Sequence, residues 1–416
     1  MILILIILCI IGTPLFSVIA ASAMFGYASQ EIDLMAIVIE IIGISDMPFL
    51  SAIPLFTLSG YLLSESNAPK RLVALTDVFL GWMPSGLAIV SILACALFTA
   101  FTGASGVTII ALGAILYPAL KEDGYSDKFN LGLITTSGSL GLLFAPSLPL
   151  ILYGVIAEVS IDNLFKAGIL PGLMMIILLS FYSFSVNSKN SKSGKSFNLK
   201  KALITLKECA WEIPLPFLVL GGIYSGFFAI SEAAALTALY VFIVEVVILK
   251  EIKFIDLPSL MRESMIMVGG ILIVLAVSLA STNYMIDSGL PQKIFGLVSE
   301  VVDDQITFII LLLLFLIILG AILDIFSAIV LVVPILLPIA EMYEINQIHL
   351  GIIFLSTMQL GYLTPPVGIN LFIASYRFDR SIIDVYSSTI PFFLILLLSV
   401  ILIAFLPSLS TVNKYS

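Results

Sequence analysis

The chain is 416 residues long, with 60% hydrophobic residues and only 11% charged, against roughly a quarter charged in a soluble domain. A water-facing fold could not bury that excess, so the solvent around most of the chain is lipid. The net charge of −9 is spread thinly through loops, and with no basic stripe to neutralise phosphates, nucleic acid is excluded as a partner.

From the N-terminus, residues 2–28 are an apolar run with no Lys or Arg before it. A secretory signal carries a basic n-region and a shorter core, so this run predicts an uncleaved spanning helix with Pro14 near its middle. Residues 34–63 are again apolar, divided by Asp46-Met47-Pro48 and Pro54 into a short entry piece and a span. Ser64 to Pro69 reads as a polar turn, and Lys70 to Trp82 as an amphipathic interfacial helix. Gly86–Phe101 and Val107–Leu120 are each short for a crossing. They predict a re-entrant helical hairpin over about 86–120, with Thr102-Gly103-Ala104-Ser105-Gly106 at its tip. Residues 129–154 then form a span broken at Pro146, which has no N–H and clashes with the preceding turn.

A further span, about 165–186, closes the first half, residues 1–186. The segment 187–207, NSKNSKSGKSFNLKKALITLK, holds Lys189, Lys192, Lys195, Lys200, Lys201 and Lys207, six of 18 basic residues. Such density predicts a cytoplasmic linker between halves. In the second half, residues 208–416, Pro214–Leu249 predicts two helices carrying Glu232 and Glu245, and Ser264–Tyr284 a span. A second hairpin follows over about 305–340 with Gly320–Phe326 at its tip, then a broken helix over 350–374 interrupted at Thr364–Asn370. Ile390–Leu406 is the last span, giving about ten to twelve membrane segments of an all-α polytopic protein.

The halves echo each other. Gly132 and Gly351 stand 219 residues apart, as do Pro146 and Pro365, Ser105 and Asp324, and Tyr153 and Phe372. Asn67–Leu72 matches Gly289–Ile294 with a small change of offset. Interrupted apolar segments at corresponding places in two halves point to a repeat-built transporter.

Each break presents carbonyls at C-terminal half-helix ends, suited to a hard cation such as Na⁺, and N–H groups at N-terminal ones, suited to a carboxylate. The candidate Na⁺ ligands, backbone and side chain, are Gly103, Ser105, Gly106, Pro146, Asp324, Thr364, Gly368 and Asn370. Candidates for a substrate carboxylate are Thr102, Ser105, Ser147, Asn370 and Arg377. Asp324 reads equally as a direct cation ligand and as the cap of the half-helix after it. Arg377 either snorkels to the interface beside Asp379 or grips a carboxylate with both arms. Glu232, after Ile230-Ser231, fits a helix first turn.

Other chemistry is thinly represented. Cys9, Cys95 and Cys209 stand apart, with no CxxC pair, and read as small buried hydrophobes. His349 is the only histidine and, following Asn346-Gln347-Ile348 at a predicted helix start, is expected at the surface. No GxSxG, HExxH or GxxxxGK[ST] occurs, so an enzyme is disfavoured, no organic cofactor is expected and gradient-driven transport is favoured. A proton-coupled carrier using Asp324 is the alternative, and a channel a lesser one.

Three pieces, FTGASGVTIIALGAILYPAL, GLLFAPSLPLILYG and LTPPVGINLFIASYRF, resemble the large membrane (M) subunit of TRAP transporters, the tripartite ATP-independent periplasmic carriers. The resemblance runs over nearly the whole chain. It implies two inverted repeats, each with a re-entrant hairpin and a broken helix, and an elevator mechanism. It further implies a bacterial or archaeal inner-membrane protein taking up a small carboxylate, such as a C4-dicarboxylate, keto acid or sialic acid, on a Na⁺ gradient. The implied partners are a small membrane (Q) subunit, expected as a separate polypeptide, and a periplasmic substrate-binding protein. The Na⁺ sites would lie at the first tip with the Pro146 break and at the second tip with the Pro365-Pro366 break. Ala145 departs from the pattern, since many members have a second proline there.

Overall fold

The computed structural model describes residues 13–47, 50–187, 199–300 and 302–410, and among these residues it contains helices and no strands. Lipid explains the choice: backbone groups cannot turn to water, and a helix satisfies them within one segment. Helix starts are marked by short polar caps or proline. The side chains of Ser126, Asp304, Asn346 and Ser381 accept backbone N–H bonds from the turns that follow them, while Pro69, Pro149 and Pro291 occupy first turns where their missing N–H leaves nothing unpaired.

The first half contains α1 (Leu15–Ser29), α2 (Met35–Gly43), α3 (Ala52–Glu65), α4 (Ala68–Leu80), α5 (Gly86–Thr102), α6 (Ser105–Glu122), α7 (Asp127–Ser137), α8 (Leu148–Ile156) and α9 (Ile161–Asn187). α10 (Leu199–Glu208) leads into α11 (Pro214–Tyr224) and α12 (Ile230–Ile248), both with π-helical turns. The second half continues with α13 (Leu257–Asp287), α14 (Leu290–Ser299), α15 (Gln305–Ile322), α16 (Ile325–Met342), α17 (Gln347–Gly361), α18 (Ile369–Phe378) and α19 (Ile382–Phe405). The run α4–α9 thus recurs in order as α14–α19.

Seven described helices, α6, α9, α12, α13, α15, α16 and α19, are long and apolar enough to cross a membrane. α7 with its 3₁₀ extension and α8 form an eighth candidate, bent by 44° at the break. The arms of the predicted hairpins are 17 and 18 residues in the first and 18 each in the second, about 27 Å at 1.5 Å per residue, so length does not by itself forbid a crossing. α1 starts directly after Pro14, which therefore ends up at the helix start rather than inside it; residues 2–12 of that predicted span, and Cys9, lie outside the described residues. So do Lys189, Lys192 and Lys195 of the basic linker, whereas Lys200 and Lys207 lie on α10, packed against α4.

Packing divides the helices into two groups. α1, α2 and α3 gather on α13, and α3 pairs with α12. The other group is interlaced: α7 packs on α19 and α17 on α9, while α6 packs on α18 and α16 on α8. Each half therefore completes the other, and the breaks sit inside the interlaced group. Ile177, Phe181, Leu394 and Leu398 face outward from α9 and α19, as a lipid-bathed surface requires.

Candidate functional site

The first tip is a two-residue turn. Gly103 closes α5 with φ of +66°, a left-handed conformation glycine adopts without strain, and its N–H donates to the Thr99 carbonyl at 2.8 Å. A Cβ on Gly103 would lie 2.8 Å from the Leu148 side chain, so this tip seats on the start of α8, beside Ser147. Gly106 lies as closely on Ile373 of α18. Ser105 opens α6 and is buried, with its carbonyl 3.3 Å from where a Cβ of Gly138 would sit.

The second tip is held differently. Asp324 caps α16: its carboxylate accepts from the N–H groups of Phe326 and Ser327, each at 3.0 Å, and from the Ser327 hydroxyl. The cap reading of Asp324 is thus the geometry observed. The same side chain borders a cavity of about 300 Å³ between α16 and Met267, Gly270, Ile271 and Val274 of α13. The Ala321 carbonyl accepts from both Val367 and Gly368 N–H at 3.1 Å, and the Tyr362 hydroxyl accepts from Ile325 N–H at 2.7 Å. This tip therefore sits on the second break. Thr364 donates to the Leu360 carbonyl at 2.8 Å. Both breaks contain a cis peptide bond, Ala145-Pro146 and Pro365-Pro366.

The two breaks meet through Asn370, whose Nδ2 donates to the Thr135 carbonyl at 3.2 Å while its Oδ1 has no partner. Thr102 Oγ1, Thr136 Oγ1, Ser137 Oγ, Ser147 Oγ and both amide atoms of Gln359 are likewise buried without a hydrogen-bond partner among the described residues. Each such atom costs about 1–3 kcal/mol when left unmade. Their concentration around tips and breaks gives a neutral donor set of hydroxyl, amide and carbonyl oxygens, which suits Na⁺. Thr136, Ser137 and Gln359 were missed in the sequence, although Thr135-Thr136-Ser137 is a hydroxyl run inside an apolar helix.

Arg377 is not part of this gathering. It is exposed at the end of α18, and its Nε donates to the Ile110 carbonyl at 3.1 Å. The ion pair at that corner is Arg380 with Asp127, at 2.8 Å. Glu232 accepts from Ala229 N–H at 2.9 Å, as a first-turn residue. His349 corrects its surface expectation: it is buried, with Nδ1 on the Ser410 hydroxyl at 2.5 Å and Nε2 on the Ala404 carbonyl at 3.2 Å. Tertiary contact with the end of α19 covers it.

Apolar spans interrupted at buried, polar, interlocking breaks define a polytopic membrane transport protein. Comparison with known proteins agrees with that class. The family described as "Tripartite ATP-independent periplasmic transporter, DctM component" matches residues 2–409, and the chain belongs to it. A large permease protein DctM of a C4-dicarboxylate TRAP transporter from Rhodobacter capsulatus is 30% identical over 377 residues, covering 86% of this chain and 85% of that one. An isethionate TRAP transporter permease protein DctMQ from Oleidesulfovibrio alaskensis is 30% identical over 405 residues, and the match spans 96% of this chain but 64% of that protein. Among solved structures, the YdaH transporter of Alcanivorax borkumensis has a TM-score of 0.63 at 12% identity, covering 88% of this chain and 86% of the other, a likeness of fold. The chain is a TRAP transporter large permease, and not an enzyme.

Proposed function

We propose that this permease drives uptake of a small carboxylate with a Na⁺ gradient, across a bacterial inner membrane and by an elevator movement. The observation that carries the reading is the pairing of each tip with its own break around buried oxygens that lack protein partners. The first Na⁺ site uses Gly103, Ser105, Gly106 and Pro146, and the second Asp324, Thr364, Gly368 and Asn370. Thr102, Ser147 and Asn370 face the substrate, whose carboxylate is favoured by the N–H groups opening α8 and α18; Arg377, exposed at the end of α18 and outside this gathering, attracts it at longer range.

In this reading the two halves are inverted repeats, the tips are re-entrant, and the basic 187–207 linker is cytoplasmic. The interlaced group moves against the frame built on α13. Substrate arrives from a periplasmic binding protein, with a separate small membrane subunit bound to the frame. The alternative is a proton-coupled carrier using Asp324, whose carboxylate accepts three hydrogen bonds. Uptake by the complete system is expected to stop when choline replaces Na⁺, and Asn370→Ala to raise the Na⁺ concentration needed for half-maximal rate. Uptake that ignores Na⁺, follows a pH gradient and vanishes in Asp324→Asn would reverse the assignment.

A further inference from the structure

Most hydroxyls buried in these helices bond only backward to their own turn: Thr135 to Leu131, Thr237 to Ala233, Thr357 to Ile353. Thr99, also fully buried, behaves differently. Its Oγ1 lies 2.8 Å from the Cys95 carbonyl, 2.7 Å from the Thr108 hydroxyl and 2.8 Å from the Gly138 carbonyl. One oxygen thereby ties together the last turn of α5, the first turn of α6 and the end of α7, the three segments that converge on the first tip.

Proton counting gives this arrangement two states. Thr108 has one other acceptor, the Ala104 carbonyl, at a long 3.5 Å; either hydroxyl can donate in the 2.7 Å Thr99–Thr108 pair, and the two states arise when Thr108 donates. The single proton of Thr99 then goes either to Cys95 or to Gly138, two carbonyls at equal distance. Gly138 is where α7 stops, and its backbone packs against the Ser105 carbonyl. The second half has no equivalent: 219 residues on from Thr99 stands Ile318, and the second tip is organised by the Asp324 cap instead.

We infer that the Gly138 carbonyl, beside that of Ser105, also serves the first cation site and that Thr99 is its positioning residue, the hydroxyl holding the Gly138 carbonyl when the site is empty and turning to Cys95 when a cation draws on that carbonyl. The inference rests on the Na⁺ reading above and adds that the two sites are unequal, the first tuned by a hydroxyl switch and the second fixed by a carboxylate.

The test uses the complete three-component transporter in proteoliposomes, together with Na⁺-dependent thermal protection of the purified membrane part. Thr99→Val keeps the shape and removes the proton. It removes the bond that competes with the cation for the Gly138 carbonyl, so it is expected to lower the half-saturating Na⁺ concentration about tenfold, the effect of one hydrogen bond, in both uptake and thermal protection, with a smaller change in maximal rate. Thr99→Ser should restore the wild-type value. Should Thr99→Val fail to fold, Thr108→Val supplies the same readout: without the bond it accepts, the Thr99 hydroxyl donates more weakly, and a fall of about threefold is expected. A lowered melting temperature with unchanged Na⁺ dependence in the folded variants would make the network merely structural and overturn the inference alone. A wild-type protein indifferent to Na⁺ in both assays would overturn the inference together with the Na⁺ reading.

Discussion

Gly361 and Gly320 meet backbone to backbone where α17 crosses α15: a Cβ on Gly361 would lie 2.5 Å from the Cα of Gly320. In lipid, helices gain little from the hydrophobic effect and associate through close packing of small residues, so this contact fixes the second break against the second tip. Gly361→Ala would push backbone against backbone and is expected to destabilise by about 1–3 kcal/mol, seen as a lower melting temperature in detergent. Gly269, inside α13 with nothing within 4 Å of its added Cβ, is the contrast. There alanine removes backbone freedom from the unfolded chain, and Gly269→Ala should stabilise by about 0.5–1 kcal/mol. A melting temperature that moves the same way in both variants would contradict this account of the contact.

Between elements, Arg71 on α4 pairs with three carboxylates among the described residues. Its guanidinium bonds Glu212, Glu245 and Glu251, the Glu245 contact at 3.0 Å, and the side chains of Glu212 and Glu245 are 3% and 1% exposed. Burial pushes the Glu212 carboxyl above its usual range, opposed by Arg71. Arg71→Met would leave the carboxylates without their cation, at a cost of about 3–5 kcal/mol. Because the Glu212 value is raised in the folded chain, the folded state binds the extra proton. The loss should therefore be largest at high pH and shrink as pH falls through the raised value. Melting temperatures of Arg71→Met across a pH series check this; a deficit that grows on acidification would contradict it. This cluster was illegible in the sequence, since its partners stand 141, 174 and 180 residues away and nothing local marks them. The tips and the second break were legible to within about three residues, because Gly103 and Pro365 act on their own backbone, whereas at the first break the α-helical segment already stops at Ser137, well before Pro146. Helix ends were underestimated where polar residues prolong an apolar core, as at Leu257–Asp287 and Ile382–Phe405; hydropathy sees the lipid-facing stretch and not the turns that extend beyond it.

At the scale of the whole molecule, the interlacing of α7 with α19 and of α17 with α9 has a mechanical consequence. Neither half's break can shift without carrying the other half's last span, so the site region moves as one body or not at all. Contact between that group and the α13 frame is narrower, chiefly α16 on α13 and α5 on α3, which is where sliding would occur. In the proposed reading such a body offers a site to substrate, while capture of substrate and anchoring of the frame fall to other components. That division agrees with a family named for three parts and with a relative named DctMQ, of which this chain spans 64%. Reconstituted without partners, the chain is therefore expected to show little uptake. Adding the small membrane subunit should anchor the frame without restoring transport. Adding substrate-loaded binding protein to that pair should restore it, and free substrate at the same concentration should not substitute. Measuring uptake for the chain alone, the pair and the complete set separates these contributions. Full uptake by the chain alone would show that the frame needs no anchor and the site no delivery, and the tripartite reading would fall.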